Sequence, residues 1–335
     1  MNTYKSVYVT GSIAYDTIMN FPNQFQDYFH AEKLHQINVS FVVDKLEKQL
    51  GGTGANISYN VSQIINNKLQ ITNKFQILNN KTNQKPRIIL LGSIGKDGKE
   101  FVKFFKKNNI DSSGVIVDKE LYTSTGSVIT DTKNNQIWGF YYGASEKIPY
   151  IDFKKINKET DLLVISANHK NSFLYFQREA IKNKIPYFYD PGMTLTWITD
   201  KDLKDGVMNC KYLVGNDYEI AMITKRIGKS INELTNCGLR IITTLGEGGV
   251  QYYDVGAKRA SPLLIKGYHV KKMIDPTGAG DAWRGGFVAG LLLGRSTEDC
   301  LKLGNVMASF AIEKYGTVNH RPTKNDIEKR MVKLS

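Results

Sequence analysis

Short apolar runs alternate along this chain with longer amphipathic stretches. "SVYVT", "RIILLG", "DLLVIS", "IPYFYD", "KYLVG" and "RIITTLG" have the length and β-branched content of buried strands. Most are followed by a polar turn and then by apolar residues at helical spacing, as in "GKEFVKFFKKN", "YEIAMITKRI" and "STEDCLKLGNVMASFAIEKYG". The alternation predicts an α/β fold, a mainly parallel sheet covered by helices on both faces. Two segments break it. "NVSFVVDKLEKQL" and "YTSTGSVITDTKNNQIWGFYYG" alternate with the period of a strand, the second around a turn at Lys133 to Gln136. They predict a small sheet outside the main one, suited to be a lid and built from segments of about 13–50 and 120–143. The asparagine- and lysine-rich stretch 66–85, "NNKLQITNKFQILNNKTNQK", is read as a surface insertion between the first helix and the next strand. The whole of 1–335 is read as a single domain.

Composition narrows the class. Of 335 residues 41% are hydrophobic, enough for a large core. No apolar run reaches membrane-spanning length and the N-terminus has no signal-peptide pattern, so a cytoplasmic protein without a membrane partner is expected. Cys210, Cys237 and Cys300 are far apart, and neither C-x-x-C nor H-E-x-x-H occurs, which argues against a disulfide framework or structural zinc. The formal charge of +13 favours an anionic partner. The lysines are dispersed along the whole chain, with no basic run interleaved with aromatics, so nucleic acid is not expected. Nucleotide phosphates need no such stripe.

The densest chemistry lies in "MIDPTGAGDAWRGGFVAGLLLG", Met273 to Gly294. A helix beginning near Ala279 would point its first backbone N–H groups out of the turn formed by Gly278 and Gly280, and that end attracts anions. Glycine lets a phosphoryl group approach the backbone, so Gly278, Ala279 and Gly280 can present their amides to it. A carboxylate at the mouth of such a site, Asp281, is useful only if it takes a proton from an attacking hydroxyl or holds a cation; otherwise it merely caps the helix start.

Four other constellations carry a functional and a structural reading side by side. In "VYVTGSIAYDTIMNF" a strand meets Gly11 and a short loop delivers Asp16, either to accept from two sugar hydroxyls or to cap its own turn. In "QLGGTGANISYNVSQI" Gly51 and Gly52 precede a helix carrying Asn56, either a hinge beside a substrate amide or an ordinary strand-to-helix turn. "YLVGNDYEIAMI" sets Asn216 three residues before Glu219, a capping-box spacing that is compatible with holding water-bound Mg²⁺. "IITTLGEGGVQYY" ends a strand with Thr244, Gly246, Gly248 and Gly249, either against a nucleotide or as a hairpin turn. Neither G-x-x-x-x-G-K-[ST] nor G-x-G-x-x-G occurs, which argues against a P-loop and the usual dinucleotide fingerprint.

Taken as an ordered set, "GGTGANISYN", "NDYE", "TLGEGG" and "DPTGAGDAWRGGF" resemble the motifs of the ribokinase-like (PfkB) sugar and nucleoside kinases. The resemblance covers nearly the whole chain, and the last motif is the most specific. "VTGSIAYDTIMNFP", "LHQINVSFVVDKLEKQLGG" and "WGFYYGASEK" look most like the bacterial adenosine kinase branch. The insertion at 66–85 departs from the pattern, as does Trp283, where a smaller aromatic is more usual.

The resemblance implies a ribokinase-like three-layer α/β/α domain with a small β-sheet lid. It also implies a reaction, transfer of the γ-phosphoryl group of MgATP to the primary (5′) hydroxyl of a nucleoside, adenosine to AMP first, with ribose or another sugar or sugar phosphate as the alternative acceptor. By residue, it implies Asp281 as base and Gly278, Ala279 and Gly280 as anion hole. Asp16, Gly51, Gly52 and Asn56 would hold the acceptor, and Asn216, Thr244, Gly246, Gly249 and Asn305 would face ATP. Asn216 and Glu219 would organise Mg²⁺ through water, and Asp275 and Thr277 would hold K⁺ if one is used. A monomer or homodimer is expected. Arginine is absent before Arg87 and between Ile88 and Lys147, so the lid has no guanidinium for a sugar phosphate, although a lysine such as Lys45 could meet one. Phe21, Phe41, Trp138, Phe140, Tyr141 and Tyr142 offer rings for a purine, Phe41 and Phe140 first among them, or else pack the lid. A sensor that keeps the fold without turnover is the non-enzyme alternative, and an intact Asp281 argues against it.

Overall fold

The computed structural model describes residues 4–29, 38–66, 85–133, 135–254 and 262–334. Most of the insertion expected at 66–85 lies outside them, as do residues 30–37 of the expected lid and the side chain of Trp138.

In chain order the N-terminal half contains β1 (Ser6–Thr10), β2 (Ala14–Asn20), β3 (Lys45–Gly51), α1 (Thr53–Asn66), β4 (Arg87–Ile94), α2 (Lys99–Lys107), β5 (Asp111–Val117), β6 (Ser124–Thr130) and β7 (Gln136–Tyr141). There follow β8 (Asp161–Ser166), α3 (Lys170–Asn183), β9 (Tyr187–Asp190), α4 (Asp200–Asn209), β10 (Tyr212–Asn216), α5 (Asp217–Ile227), α6 (Ile231–Asn236) and β11 (Arg240–Thr244). The chain ends with β12 (Val250–Tyr253), β13 (Leu263–Ile265), α7 (Ala279–Leu292), α8 (Thr297–Ala311) and α9 (Lys324–Lys333).

The main sheet runs β13-β12-β11-β10-β9-β8-β1-β4-β5, parallel from β11 to β5, with β12 and β13 antiparallel at one edge. Its inner strands are apolar on both faces because both are covered, while the edge strand β5 is only partly buried. In β8, Leu162 and Val164 join a core with α1, α7 and α8, while Leu163 and Ile165 join the opposite core with α3, α4 and α5. That is the three-layer α/β/α arrangement the alternation predicts, with a smaller sheet beside it in the order β3-β2-β6-β7.

Two local expectations need correction. Asp16 is not on a loop: it lies within β2, which pairs antiparallel with β3 and parallel with β6. The residues Asn38 to Asp44 form no strand. Their apolar pattern has another cause, since Phe41 turns into a ring cluster with Phe21, Phe25, Tyr28 and Phe29, the Phe21 contact being 4.8 Å between centroids. No helix among the described residues is long and apolar enough to cross a membrane.

Candidate active site

The N-terminus of α7 is set by Gly278, whose φ of 76° is left-handed. A Cβ there would lie 2.8 Å from the Thr317 Cβ, so only glycine fits the turn against the loop that follows α8. The first helical closure is Ala282 N–H onto the Gly278 carbonyl at 2.9 Å, which leaves the N–H groups of Gly280 and Asp281 ahead of the helix ladder. Ala279 differs from the expectation. Its N–H donates to the Pro276 carbonyl at 3.2 Å and is engaged within the turn.

Under this turn lies a buried charge pair that sequence reasoning missed. Arg284, one turn beyond Asp281, donates through Nη2 to Asp190 Oδ1 at 2.6 Å and places Nε 2.6 Å from Oδ2. Ser166 Oγ donates to the same carboxylate at 2.6 Å. The pair joins α7 to the C-terminal ends of β8 and β9, and Arg284 Nη1 stands only 2.5 Å from where a Cβ on Gly280 would be. A guanidinium therefore backs the amide turn.

Asp281 is bonded through its Oδ2 to the Asn56 amide, which donates at 2.8 Å from the first turn of α1. Asn56 Oδ1 in turn accepts from the Thr317 hydroxyl at 2.9 Å. Asp16 reaches the same place from β2, with Oδ2 at 2.2 Å from the position a Cβ would take on Gly51, so any side chain at 51 would evict the carboxylate. Gly52, with φ of 92°, turns the chain from β3 into α1.

Burial pushes the Asp16 carboxyl up to about 7, and the carboxylates of Asp281 and Asp275 add to it. Asp281 is pushed up to about 6, again first by burial, with Arg284 and the Asn56 amide pulling it down and Asp190 pushing it up. The compensating groups stand beside Asp281. They make it the more readily ionised member of the pair.

At the far side of the sheet edge, Asn216 and Glu219 form a complete capping box, each side chain accepting the other's backbone N–H at 2.8 Å. Burial and then the Asp190 carboxylate push the Glu219 carboxyl up, against Arg284 and the Asn216 N–H. A cation beside it would relieve that cost. Among the described residues no cluster of three or more His, Cys, Asp or Glu side chains is arranged to hold a metal. The donor set fits an ion that keeps its water.

Thr244 ends β11 with its hydroxyl 3.4 Å from the Gly215 carbonyl, and Gly246 and Gly249 follow with φ of 56° and 92°. Asn305 is committed inside the protein, since its amide donates to the Ile265 and Lys266 carbonyls at 3.2 and 2.8 Å and accepts from Trp283 Nε1 at 2.8 Å. It supports the β13 end of this edge, and the unusual Trp283 has its partner there. Asp275 is buried, its two oxygens accepting from Thr277 N–H at 2.9 Å and Gly316 N–H at 3.0 Å.

On the small sheet Asp16 pairs with Gln49 on one side and Gly126 on the other, and Gly126 pairs with Phe140. These positions share a face, with the glycine on the strand between carboxylate and ring. Phe140 meets Tyr142 edge-on at 5.0 Å, and Tyr142 meets His169 at 5.1 Å. Phe41 is elsewhere: its cluster sits beyond the Asn20 end of β2, at least four residues or about 13 Å along the strand from Asp16. Lys45 is engaged by Glu47 at 2.5 Å and lies over the Tyr315 ring.

With this geometry in hand, the chain is assigned by comparison. Residues 10–324 match the pfkB family carbohydrate kinase model, and the chain belongs to that family. It is similar to the nucleoside kinase of Methanocaldococcus jannaschii, 26% identical over 307 residues that cover 91% of this chain and 93% of the relative. It is also similar to the nucleoside kinase of Methanothermobacter thermautotrophicus, 27% identical across 98% of this chain and 96% of that protein. Among solved structures, the Burkholderia thailandensis nucleoside kinase in complex with inosine superposes with a TM-score of 0.79 at 25% identity, covering 98% of this chain and 97% of that one. The fold is accordingly ribokinase-like.

Proposed function

We propose that the chain is an ATP-dependent nucleoside kinase that phosphorylates the 5′ hydroxyl of a purine nucleoside, adenosine first. The observation that carries this reading is the meeting of three groups at one point: the amide turn at the start of α7, the charged Asp281 beside it, and Asp16 arriving from the small sheet. The names of the relatives at both the sequence and the structural level support the acceptor class.

In this reading Asp281 accepts the proton of the attacking hydroxyl, and the N–H groups of the 278–280 turn, backed by Arg284, face the charge on the transferring phosphoryl group. Ala279 joins them if its bond to Pro276 opens. Asp16, which holds a proton up to about 7, can accept from one ribose hydroxyl and donate to the other. Gly51 and Gly52 keep the backbone close to the sugar, and Phe140, two strands from Asp16 on the same face, offers its ring to the base. Asn216, Thr244, Gly246 and Gly249 face ATP, with Asn305 supporting them from below. Magnesium, held through water by Glu219 with Asn216 beside it, supplies positive charge against the phosphate oxygens when bound. The small sheet acts as a lid that excludes water from the reaction.

A monovalent cation at Asp275 and Thr277 belongs to the same proposal, because Asp275 ties the glycine turn to the 316 loop. K⁺ should activate the parent relative to a large organic cation at fixed ionic strength, and do much less for Asp275→Asn. Indifference of the parent to the cation removes the site.

The reading as a whole is tested by ADP release with MgATP and a panel of nucleosides, ribose, fructose and sugar phosphates. Purine nucleosides should be turned over and sugar phosphates should not. A preference for ribose or a sugar phosphate over every nucleoside would overturn the acceptor assignment.

A further inference from the structure

Thr317 places one hydroxyl between two acceptors. Its Oγ1 lies 2.9 Å from Asn56 Oδ1 and 3.1 Å from the Leu50 carbonyl oxygen, and it carries a single proton. Both Thr317 and Asn56 are buried, so neither can turn to water for the missing donor. The other end of the Asn56 amide faces Asp281. While Asp281 is a carboxylate, the NH₂ must point at it, and the carbonyl end must then take the Thr317 proton.

If Asp281 carries a proton, the opposite arrangement satisfies every group. The carboxylic acid donates to Asn56 Oδ1, Asn56 Nδ2 donates to Thr317 Oγ1, and the Thr317 proton passes to the Leu50 carbonyl in β3.

Resting on the kinase reading above, we propose that Thr317 is a positioning residue for phosphoryl transfer, fixing the Asn56 amide toward the charged base and releasing it to turn over once the base is protonated. The proton balance is closed. The acceptor oxygen forms its bond to phosphorus as the bond to ADP breaks, and its proton moves to Asp281, where it becomes the donor that Asn56 Oδ1 requires. Because Leu50 belongs to β3, the exchange also transmits the state of the base to the small sheet. Thr317 is well placed for this, since it packs against Gly278 and its neighbour Gly316 is held by Asp275.

The groups that bear on Asp281 are Arg284 from its own helix and Asp190 from β9, and Asp16 from β2 stands near enough for its own carboxyl to be raised by Asp281. Asp275 acts on Asp16 from the turn before α7. None of these is hydrogen-bonded to the Thr317 hydroxyl, whose partners are Asn56 Oδ1 and the Leu50 carbonyl, so a variant there acts on the amide without removing a charge.

The experiment compares Thr317→Val and Thr317→Ser with the parent, measuring kcat and KM from pH 5 to 9 on the best acceptor of the panel. Loss of the hydroxyl should lower kcat about tenfold, the scale of one buried hydrogen bond, with KM nearly unchanged. It should also move the acid limb of the profile to higher pH, and serine should restore both. Equal kcat and an unmoved acid limb in the valine variant overturn the proposal, as does an equal loss in the serine variant. A second measurement needs no variant at 317. The side-chain amide resonance of Asn56, assigned by its loss in Asn56→Gln, should shift in the parent with the midpoint of the acid limb. A resonance that stays flat refutes the exchange. If no acceptor on the panel is phosphorylated, the kinase reading fails by itself, while the amide titration still reports whether Asn56 follows Asp281.

Discussion

Replacing Asp16 by Asn is expected to stabilise the unliganded protein at pH 8. The carboxyl is held at about 7 in the folded protein against an ordinary value of 3.8, chiefly by burial and then by Asp281 and Asp275. Between those limits the folded state binds the proton and the unfolded chain has released it. Stability therefore falls as pH rises from about 4 to about 7, and the penalty is complete above that. At about 1.4 kcal/mol per tenfold, the full span corresponds to roughly 4 kcal/mol. The carboxyl is still partly reached by solvent, which screens its charge, so about 1–2 kcal/mol is the realistic expectation at pH 8. Asparagine has the same shape and no charge, and it fits over Gly51 as the aspartate does. Urea unfolding of parent and variant at pH 4.5, 6 and 8, compared at equal slope, reads the difference directly. The variant's advantage should grow with pH and level off above about 7. An advantage that is the same at all three pH values would place its origin in packing, and a variant less stable than the parent at pH 8 would refute the burial argument.

Three shorter predictions follow from other parts of the site. Asp281→Asn should leave nucleoside and ATP binding by calorimetry nearly intact and lower kcat by roughly 10²–10⁴, the scale of a lost general base, and near-normal turnover would remove Asp281 from that role. Asp190→Ala strands Arg284 in the interior without its fork partner, and urea titration should show a loss of about 3–5 kcal/mol. Gly249→Ala forces a φ of 92° on a residue whose Cβ would lie 2.1 Å from the Ile265 carbonyl oxygen, so a loss of at least about 1–3 kcal/mol is expected from thermal unfolding together with a raised KM for ATP.

The inner strands of the main sheet were legible because burial on both faces makes them nearly unbroken apolar runs, as in β4 and β8, whereas the edge strand β5, DSSGVIV, is only partly buried and left no such run. The small sheet was less so. Its strands β2 and β3 carry Asp16, Lys45, Glu47 and Lys48 among apolar residues, and partial burial leaves no sharp pattern to mark where they begin or end. That is how Asp16 came to be read as a loop residue and how Asn38 to Asp44 came to be read as strand, when Phe41 owes its apolar neighbours to a ring cluster. Within the site, residues in glycine-rich strings could be found because backbone approach leaves a local signature. Asp190 and Thr317 left none, since their roles arise from contacts across 94 residues for the charge pair with Arg284 and 261 for the Thr317 bond to Asn56. One signal was present in Arg284, a lone cation inside an otherwise apolar stretch of α7. Such a residue is buried only with a partner.

The charges around the α7 terminus also bear on the acceptor. Asp16 and Glu219 are pushed up by burial and by neighbouring carboxylates, and the cation that acts on Glu219 and Asp281 among the described residues, Arg284, is already matched by Asp190. A site in this state favours an arriving cation, which suits MgATP on the Glu219 side. It disfavours a second phosphate on the Asp16 side, where Lys45 is engaged by Glu47 and Lys48 lies over the Tyr15 ring. An acceptor that reaches Asp281 past Asp16 should therefore be neutral, and it should present hydroxyls rather than charge to a carboxyl that can both accept and donate. Free ribose meets that condition as well as a nucleoside does. What separates the two is the row beyond Asp16, where Gly126 adds no side chain and Phe140 keeps 42% of its surface exposed. A ring two strand spacings, about 10 Å, from Asp16 contributes nothing to a sugar that fills only the Asp16 end. It becomes useful when a planar base lies across it, so the distance from carboxylate to ring argues for a nucleoside.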